Sequence, residues 1–268
     1  MVVNHFSIRT IRAYIAAIKR LQTFHGLPPE QLSESQLIAF VCHLKEGLSL
    51  SAASMRIAVS AIKYFYRHIL SRQALSENIP YPKKEKHIRA ILTGAETKAL
   101  FEKTTNPKHR LLLKLTYSSG LRRSELLTLR PDDFDWKNMQ LLVRQGKGKK
   151  DRFTVLARSL KPDYDRYIKA HSPQLFLFYG RNKNQPMSEN STRWVMDQAI
   201  ARAGITKPGV CLHSLRHSFA SHLLAIHTDV FTVQKLMGHG DIRTTMEYFH
   251  LGNRPDQQPR SPMDTIYS

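Results

Sequence analysis

Apolar residues recur at helical spacing along most of this chain, and start and stop signals cut the pattern into segments, which points to a mainly α protein. Ile8, Ile11, Ile15, Ile18 and Leu21 stand three or four residues apart and share one helical face, with Arg9, Arg12, Lys19 and Arg20 off it. Gly26, Pro28 and Pro29 stop that helix. Ser33 and Gln36 have capping-box spacing, so a second helix is predicted through Leu37, Phe40, Val41 and Leu44 to Gly47. A third, about Ala52 to Leu70, turns Ala58, Ala61, Ile62, Phe65 and Ile69 inward.

From Ser76 to Ala90 the pattern lapses. Pro80, Pro82, Lys83, Lys84, Lys86 and Arg89 stand among few core-forming residues, as in an extended basic linker. A second capping box, Thr93 to Glu96, opens a new domain. Helices are predicted there at Glu96 to Lys103, Lys108 to Ser118 and Ser124 to Leu129. Two short apolar runs follow, Met139 to Val143 and Phe153 to Leu156, and read as strands joined by a glycine-containing basic turn. Helix returns at Leu160 to Ala170, Ser191 to Ala203, His213 to Ala225, Thr232 to Leu236 and Thr244 to Phe249. The expected organisation is a helical domain at 1–75, a basic linker at 76–92, and a larger mainly helical domain with a small antiparallel β-sheet at 93–250. A tail of little pattern follows at 251–268.

Charge narrows the class of partner. Lys and Arg number 41 against 21 Asp and Glu, a formal net charge of +20 in 268 residues, which favours a polyanion over a neutral small molecule. Arg56, Lys63 and Arg67 share one outer face of the third helix, suited to phosphates or a groove, although a solvated cationic face has the same pattern. Lys83 and Lys84 of the linker extend the basic surface. Cys42 and Cys211 are too far apart and too few for a disulfide framework or a cysteine zinc site, and they suit a reducing cytoplasm. No stretch has the length and apolarity of a membrane span or a secretion signal.

Several residues could carry chemistry. Arg122, in Gly120-Leu121-Arg122, has a guanidinium whose fork of donors fits two phosphate oxygens; an ion pair with Glu125 is the plainer alternative. Lys147, in Gly146-Lys147-Gly148, lies on the basic turn. The motif lacks the spacer and Lys-Ser/Thr ending of a nucleotide-binding loop, but a lysine on a hairpin tip could protonate a leaving oxygen. His213 and Arg216 project from one face near a helix N-terminus, where the dipole favours a phosphate. His213 and His217 have the spacing of a zinc helix, yet Ser214 replaces the required glutamate and no third ligand is evident; His217 and His222 are equally compatible with core histidines. His239 sits between Gly238 and Gly240, and Tyr248, one of ten tyrosines, follows nine residues later.

In this order the residues are recognisable. Gly120 to Leu126, Gly146 to Arg152, His213-Ser214-Leu215-Arg216-His217, and Gly238-His239 through Thr245 to Tyr248 resemble the tyrosine recombinase, or phage integrase, family in its compact Xer-type and integron-type layout. The resemblance runs from about Phe6 to Phe249. It implies a helical DNA-binding domain and a mainly helical catalytic domain that together clamp double-stranded DNA at specific recombination sites. It further implies that Arg122 and Arg216 bind the non-bridging oxygens, Lys147 donates to the leaving 5′ oxygen, His213 contributes acid/base chemistry and His239 a hydrogen bond. Tyr248 would form a 3′-phosphotyrosyl bond, which keeps the energy of the broken linkage, so that no metal or nucleotide cofactor is required. Four protomers, two per site, are implied on DNA. Met237 stands where the family usually has Leu, and the short Lys147 to His213 interval leaves little room for the extra segment of integron enzymes. A non-catalytic DNA-binding regulator and a type IB topoisomerase-like strand-relaxing enzyme are the competing readings.

Overall fold

The computed structural model describes residues 6–83, 90–144 and 151–252, with the side chains of 249–252 excepted. Lys84, Lys147 and the tail from 253 onward therefore lie outside the described residues. The chain divides into two compact units, Met1–His87 and Ile88–Ser268.

The first unit holds α1 (Ile8–His25), α2 (Glu34–Glu46), α3 (Ala52–His68) and the short α4 (Ala74–Glu77). Serine hydroxyls start the first three: Ser7 accepts the Thr10 N–H, Ser33 and Gln36 complete the expected box, and Ser51 accepts the Ser54 N–H. Each such cap is worth about 1 kcal/mol. Leu21, Leu37, Phe40, Leu44, Val59, Ile62 and Tyr66 form the core. The core-facing stripe of α1 is narrower than its isoleucines imply, because Ile8 is 70% and Ile15 48% exposed. Tyr14 packs against Phe6 and Tyr64 with its ring tilted to both, and Ala17, Ile18 and Leu21 face inward. Ile69 is also exposed, since α3 ends at His68 and leaves it as the cap residue. The segment read as linker is packed at its start: Ser76 and Glu77 belong to α4, and Ile79 is buried in the core.

The second unit contains α5 (Gly94–Glu102), α6 (Pro107–Ser118), α7 (Arg123–Thr128), β1 (Phe134–Asp135), β2 (Gln140–Val143), β3 (Arg152–Val155), α8 (Lys161–His171), α9 (Glu189–Ala203), α10 (Leu212–Ala225), α11 (Val230–Met237) and α12 (Ile242–Gly252). The sheet is an antiparallel meander in the order β1-β2-β3, with Val143 opposite Arg152 and Gln140 opposite Val155. Its first strand has two residues, too few for period-two alternation to mark it in sequence. Leu141, Val143 and Thr154 point into the core while Phe153 and Val155 are exposed, the alternation expected of a sheet with one wet face. Buried α10 is the axis of the unit, and α6, α11 and α12 pack on it. The arrangement brings the α6–α7 corner, the start of β3 and the α11–α12 turn together around Arg216.

Candidate active site

The site is organised by one carboxylate. Glu125 is the third residue of α7, and Arg122 caps that helix, so the Arg122 N–H reaches Glu125 Oε2 at 2.8 Å and its Nη1 reaches Oε1 at 2.7 Å. Arg152, at the start of β3, donates through Nη1 and Nη2 to the same two oxygens at 2.7 and 2.8 Å. Arg216 Nη1 lies 3.8 Å from Oε2. Burial alone would raise the Glu125 pKa, but the hydrogen bonds and charges of Arg152 and Arg122 outweigh it and hold the group at about 2. The ion pair offered as the plain reading of Arg122 is therefore present, as one edge of a larger cluster.

The same three arginines hold the end of α11. Arg152 Nε donates to Leu236 O at 3.0 Å, Arg216 Nη2 to Met237 O at 2.5 Å and Arg122 Nη2 to Gly238 O at 2.7 Å. The last carbonyls of a helix have no partners of their own and carry its negative pole, so cations are favoured there. Arg216 also donates to Gly120 O. It is 4% exposed, and burial first, then the neighbouring charge of Arg122, push its pKa down to about 9. Three guanidiniums against one carboxylate leave this cluster at +2, the sum of Arg122, Arg152, Arg216 and Glu125. A buried excess of that sign is a place for an anion.

Tyr248 stands beside it. The ring, on α12, is 1% exposed, and its hydroxyl lies 2.6 Å from His217 Nδ1. The His239 ring is nearly parallel to it with centroids 6.2 Å apart, and His239 Nδ1 is 2.9 Å from Thr245 Oγ1. Tyr248 is close enough to Arg216 for their charges to interact.

Comparison with known proteins identifies the arrangement. Residues 84–254 match the phage integrase family, and residues 1–75 match the phage integrase N-terminal SAM-like domain. The chain belongs to the phage integrase family. Like other members it is a tyrosine recombinase, an enzyme that breaks and rejoins DNA. It is 31% identical over 267 residues to a putative integrase/recombinase, y4qK, of Sinorhizobium fredii, covering 99% of this chain and 86% of the relative. It is 33% identical over 215 residues to the tyrosine recombinase XerA of Pyrococcus horikoshii, covering 79% of this chain and 73% of that one. The fold is similar to that of a lambda integrase dimer bound to a core site, with a TM-score of 0.73 and 19% identity over 96% of this chain and 94% of that chain. It is also similar to XerH in a post-cleavage complex with DNA, at 0.70 and 22% over 83% and 70%.

Within this integrase the expected residues separate into two groups. Arg122, Arg216, His239 and Tyr248 converge as described. His213 is exposed, and its imidazole is foremost among the neighbours that lower the Cys211 thiol to about 7. The imidazole on the Tyr248 hydroxyl is His217, for which the sequence left open a core role beside the disfavoured zinc spacing from His213. His222 is half-buried, with its Nδ1 2.8 Å from the Tyr117 hydroxyl. Glu125 was expected only as an ion-pair partner of Arg122, and Arg152 was inside a recognised motif without an assigned role; a buried carboxylate among three arginines is visible only once β3 is folded against α7. Among the described residues no group of His, Cys, Asp and Glu is arranged to hold a metal ion, and no helix is long and apolar enough to cross a membrane.

In the first unit, Arg56 donates to Pro82 O at 2.8 Å and Lys63 to Glu77 O at 3.1 Å, and both cations lie over the Tyr81 ring, 5.1 and 4.9 Å from its centre. Arg67 and Lys83 are exposed. The basic face of α3 is thus partly engaged with the segment that follows α4.

Proposed function

We propose that the chain is a site-specific recombinase whose cleavage step is attack of Tyr248 on a DNA phosphodiester, with Arg122 and Arg216 on the non-bridging oxygens. Lys147 protonates the departing 5′ oxygen, His213 contributes acid/base chemistry, and His239 donates a hydrogen bond. The product is a 3′-phosphotyrosyl bond, from which a 5′ hydroxyl can rejoin without a cofactor. The observation that carries this reading is a tyrosine close to Arg216 in a partly buried cluster with a net charge of +2, since donors fixed before reaction stabilise charge developing on phosphoryl oxygens.

Arg56, Lys63, Arg67, Lys83 and Lys84 then contact double-stranded DNA, Arg56 and Lys63 by exchanging their carbonyl partners for phosphates. The assembly is a homotetramer with two protomers at each of two sites, acting in the cytoplasm. The lambda integrase relative is a dimer on a core site, which supports two protomers per site. The test is a nicked duplex on which the released 5′ fragment diffuses away. Wild type accumulates a covalent protein–DNA adduct, and Tyr248→Phe binds the same duplex without forming it. An adduct in the Phe variant overturns the assignment; relaxation of supercoiled DNA without strand exchange identifies a topoisomerase instead.

A further inference from the structure

His217 has no part in the mechanism just described, yet it is the imidazole in contact with the nucleophile. Its Nδ1 is 2.6 Å from Tyr248 Oη, inside the range over which a base takes a proton directly, and the two rings are 5.5 Å apart at 37°. His213, one turn earlier on the same helix, is exposed. The placement follows from the fold: His217 follows Arg216 directly on α10, and α12, which carries Tyr248, packs along α10. Successive residues of one helix therefore present a guanidinium and an imidazole to the same tyrosine, and the Arg216 charge is near enough to interact with negative charge on Oη.

We propose that His217 is a catalytic base in this active site, an inference that rests on the reading of Tyr248 as nucleophile. As Tyr248 Oη bonds to phosphorus, the phenolic proton passes to His217 Nδ1, the bond from phosphorus to the 5′ oxygen breaks, and that oxygen takes its proton from Lys147. In rejoining, a 5′ hydroxyl gives its proton to neutral Lys147 and attacks phosphorus. The bond to Oη then breaks and the His217 imidazolium returns the proton to Tyr248. Proton and charge counts close over the two steps.

The experiment compares single-turnover cleavage of two nicked duplexes bearing the recombination site, one with the natural 5′ bridging oxygen and one with sulfur in its place. A thiolate leaves without being protonated, so only a defect in leaving-group protonation is repaired by sulfur. His217→Asn places an amide oxygen close to where Nδ1 was, keeping an acceptor for the hydroxyl while removing the base. His217→Ala removes both, and rates are normalised to DNA-bound protein. We expect His217→Asn to cleave about 10² to 10⁴ times more slowly than wild type on both substrates, the range typical of a lost general base, with tenfold as the smallest loss that sustains the assignment. Lys147→Ala should recover on sulfur. A loss smaller than tenfold in the Asn variant, recovery of that variant on sulfur, or faster cleavage by His217→Ala would overturn the proposal. These would indicate, respectively, a hydrogen-bonding anchor, a leaving-group role and a latch. Adduct formation by Tyr248→Phe, measured in parallel, would overturn the nucleophile assignment on its own.

Discussion

Arg152 and Glu125 are joined by two parallel hydrogen bonds, at 2.7 and 2.8 Å, across a pair in which the carboxylate is 4% exposed. The pair ties β3 to α7, and Arg152 reaches on to Leu236 O at the end of α11.

That carboxylate makes stability depend on acid. Glu125 is held at about 2 against an ordinary 4.5, so its contribution is complete above about 4.5 and disappears as the pH falls from there towards 2. The shift corresponds to roughly 3 kcal/mol, at about 1.4 kcal/mol per unit. Glu125→Gln, which leaves three guanidiniums without their anion, should lower the urea midpoint strongly at pH 7. The gap from wild type should narrow at pH 3. A gap that is constant across this range would show that Glu125 is not ionised against the arginines.

Two glycines are held by different neighbours. Gly120 and Gly238 both have positive φ, +59° and +60°. A Cβ at Gly120 would lie 2.4 and 2.6 Å from the Phe219 ring, and one at Gly238 would lie 2.9 Å from Arg152 Cδ and Nε. Gly26 shares the conformation, φ +63°, with nothing within 4 Å of its Cβ position. Gly26→Ala should therefore cost about 1 kcal/mol, the left-handed strain alone. Gly120→Ala adds a clash with a packed ring and should cost about 1–3 kcal/mol more. Gly238→Ala should instead push on Arg152, whose guanidinium is held by Glu125 and Leu236 O, and so cost more stability than Gly26→Ala together with a loss of cleavage. Chemical denaturation and adduct yield on the three variants separate these effects.

How far the sequence could be read follows from what each inference needed. The caps at Ser33 and Thr93 were legible because a hydroxyl and an amide or carboxylate three residues on act locally. Arg122, Arg216, His239 and Tyr248 were legible as an ordered set. Strand β1, the rotation of α1 and the burial of Ile79 depend on neighbours far along the chain, which local periodicity does not report. His217 shows the difference most clearly. Its nearest meaningful partner in sequence is His213, four residues away, whereas its partner in space is Tyr248, 31 residues away.

The buried positive excess should behave as an anion site before any DNA is present. An oxyanion that binds the folded cluster stabilises it by RT ln(1 + [L]/Kd), about 1.4 kcal/mol at ten times Kd. Sulfate should therefore raise the melting temperature of wild type above that in chloride of equal ionic strength, which controls for screening of the +20 net charge. Arg216→Ala and Arg122→Ala should each reduce that difference, and Lys98→Ala, an exposed lysine of α5, should leave it unchanged. Equal sulfate responses in all four proteins would place the effect on the general surface.

His213 and Cys211 give a prediction read outside the catalytic cycle. The His213 imidazole is foremost among the causes lowering the Cys211 thiol from 9 to about 7, and Cys211 is exposed, so a substantial thiolate fraction is expected at neutral pH. Iodoacetamide should alkylate Cys211 faster than Cys42, which is exposed as well. His213→Ala should raise the thiol towards its ordinary range and slow alkylation of Cys211 at pH 7 by roughly tenfold. That figure allows for the lower intrinsic reactivity of a low-pKa thiolate, which offsets part of its greater abundance. The direction of the pH dependence follows: in wild type the rate should level off above about pH 7.5, and in the variant it should continue to climb past pH 8. Peptide-resolved mass spectrometry distinguishes the two cysteines in one reaction. An unchanged Cys211 rate in the variant would show that the thiol is not coupled to His213.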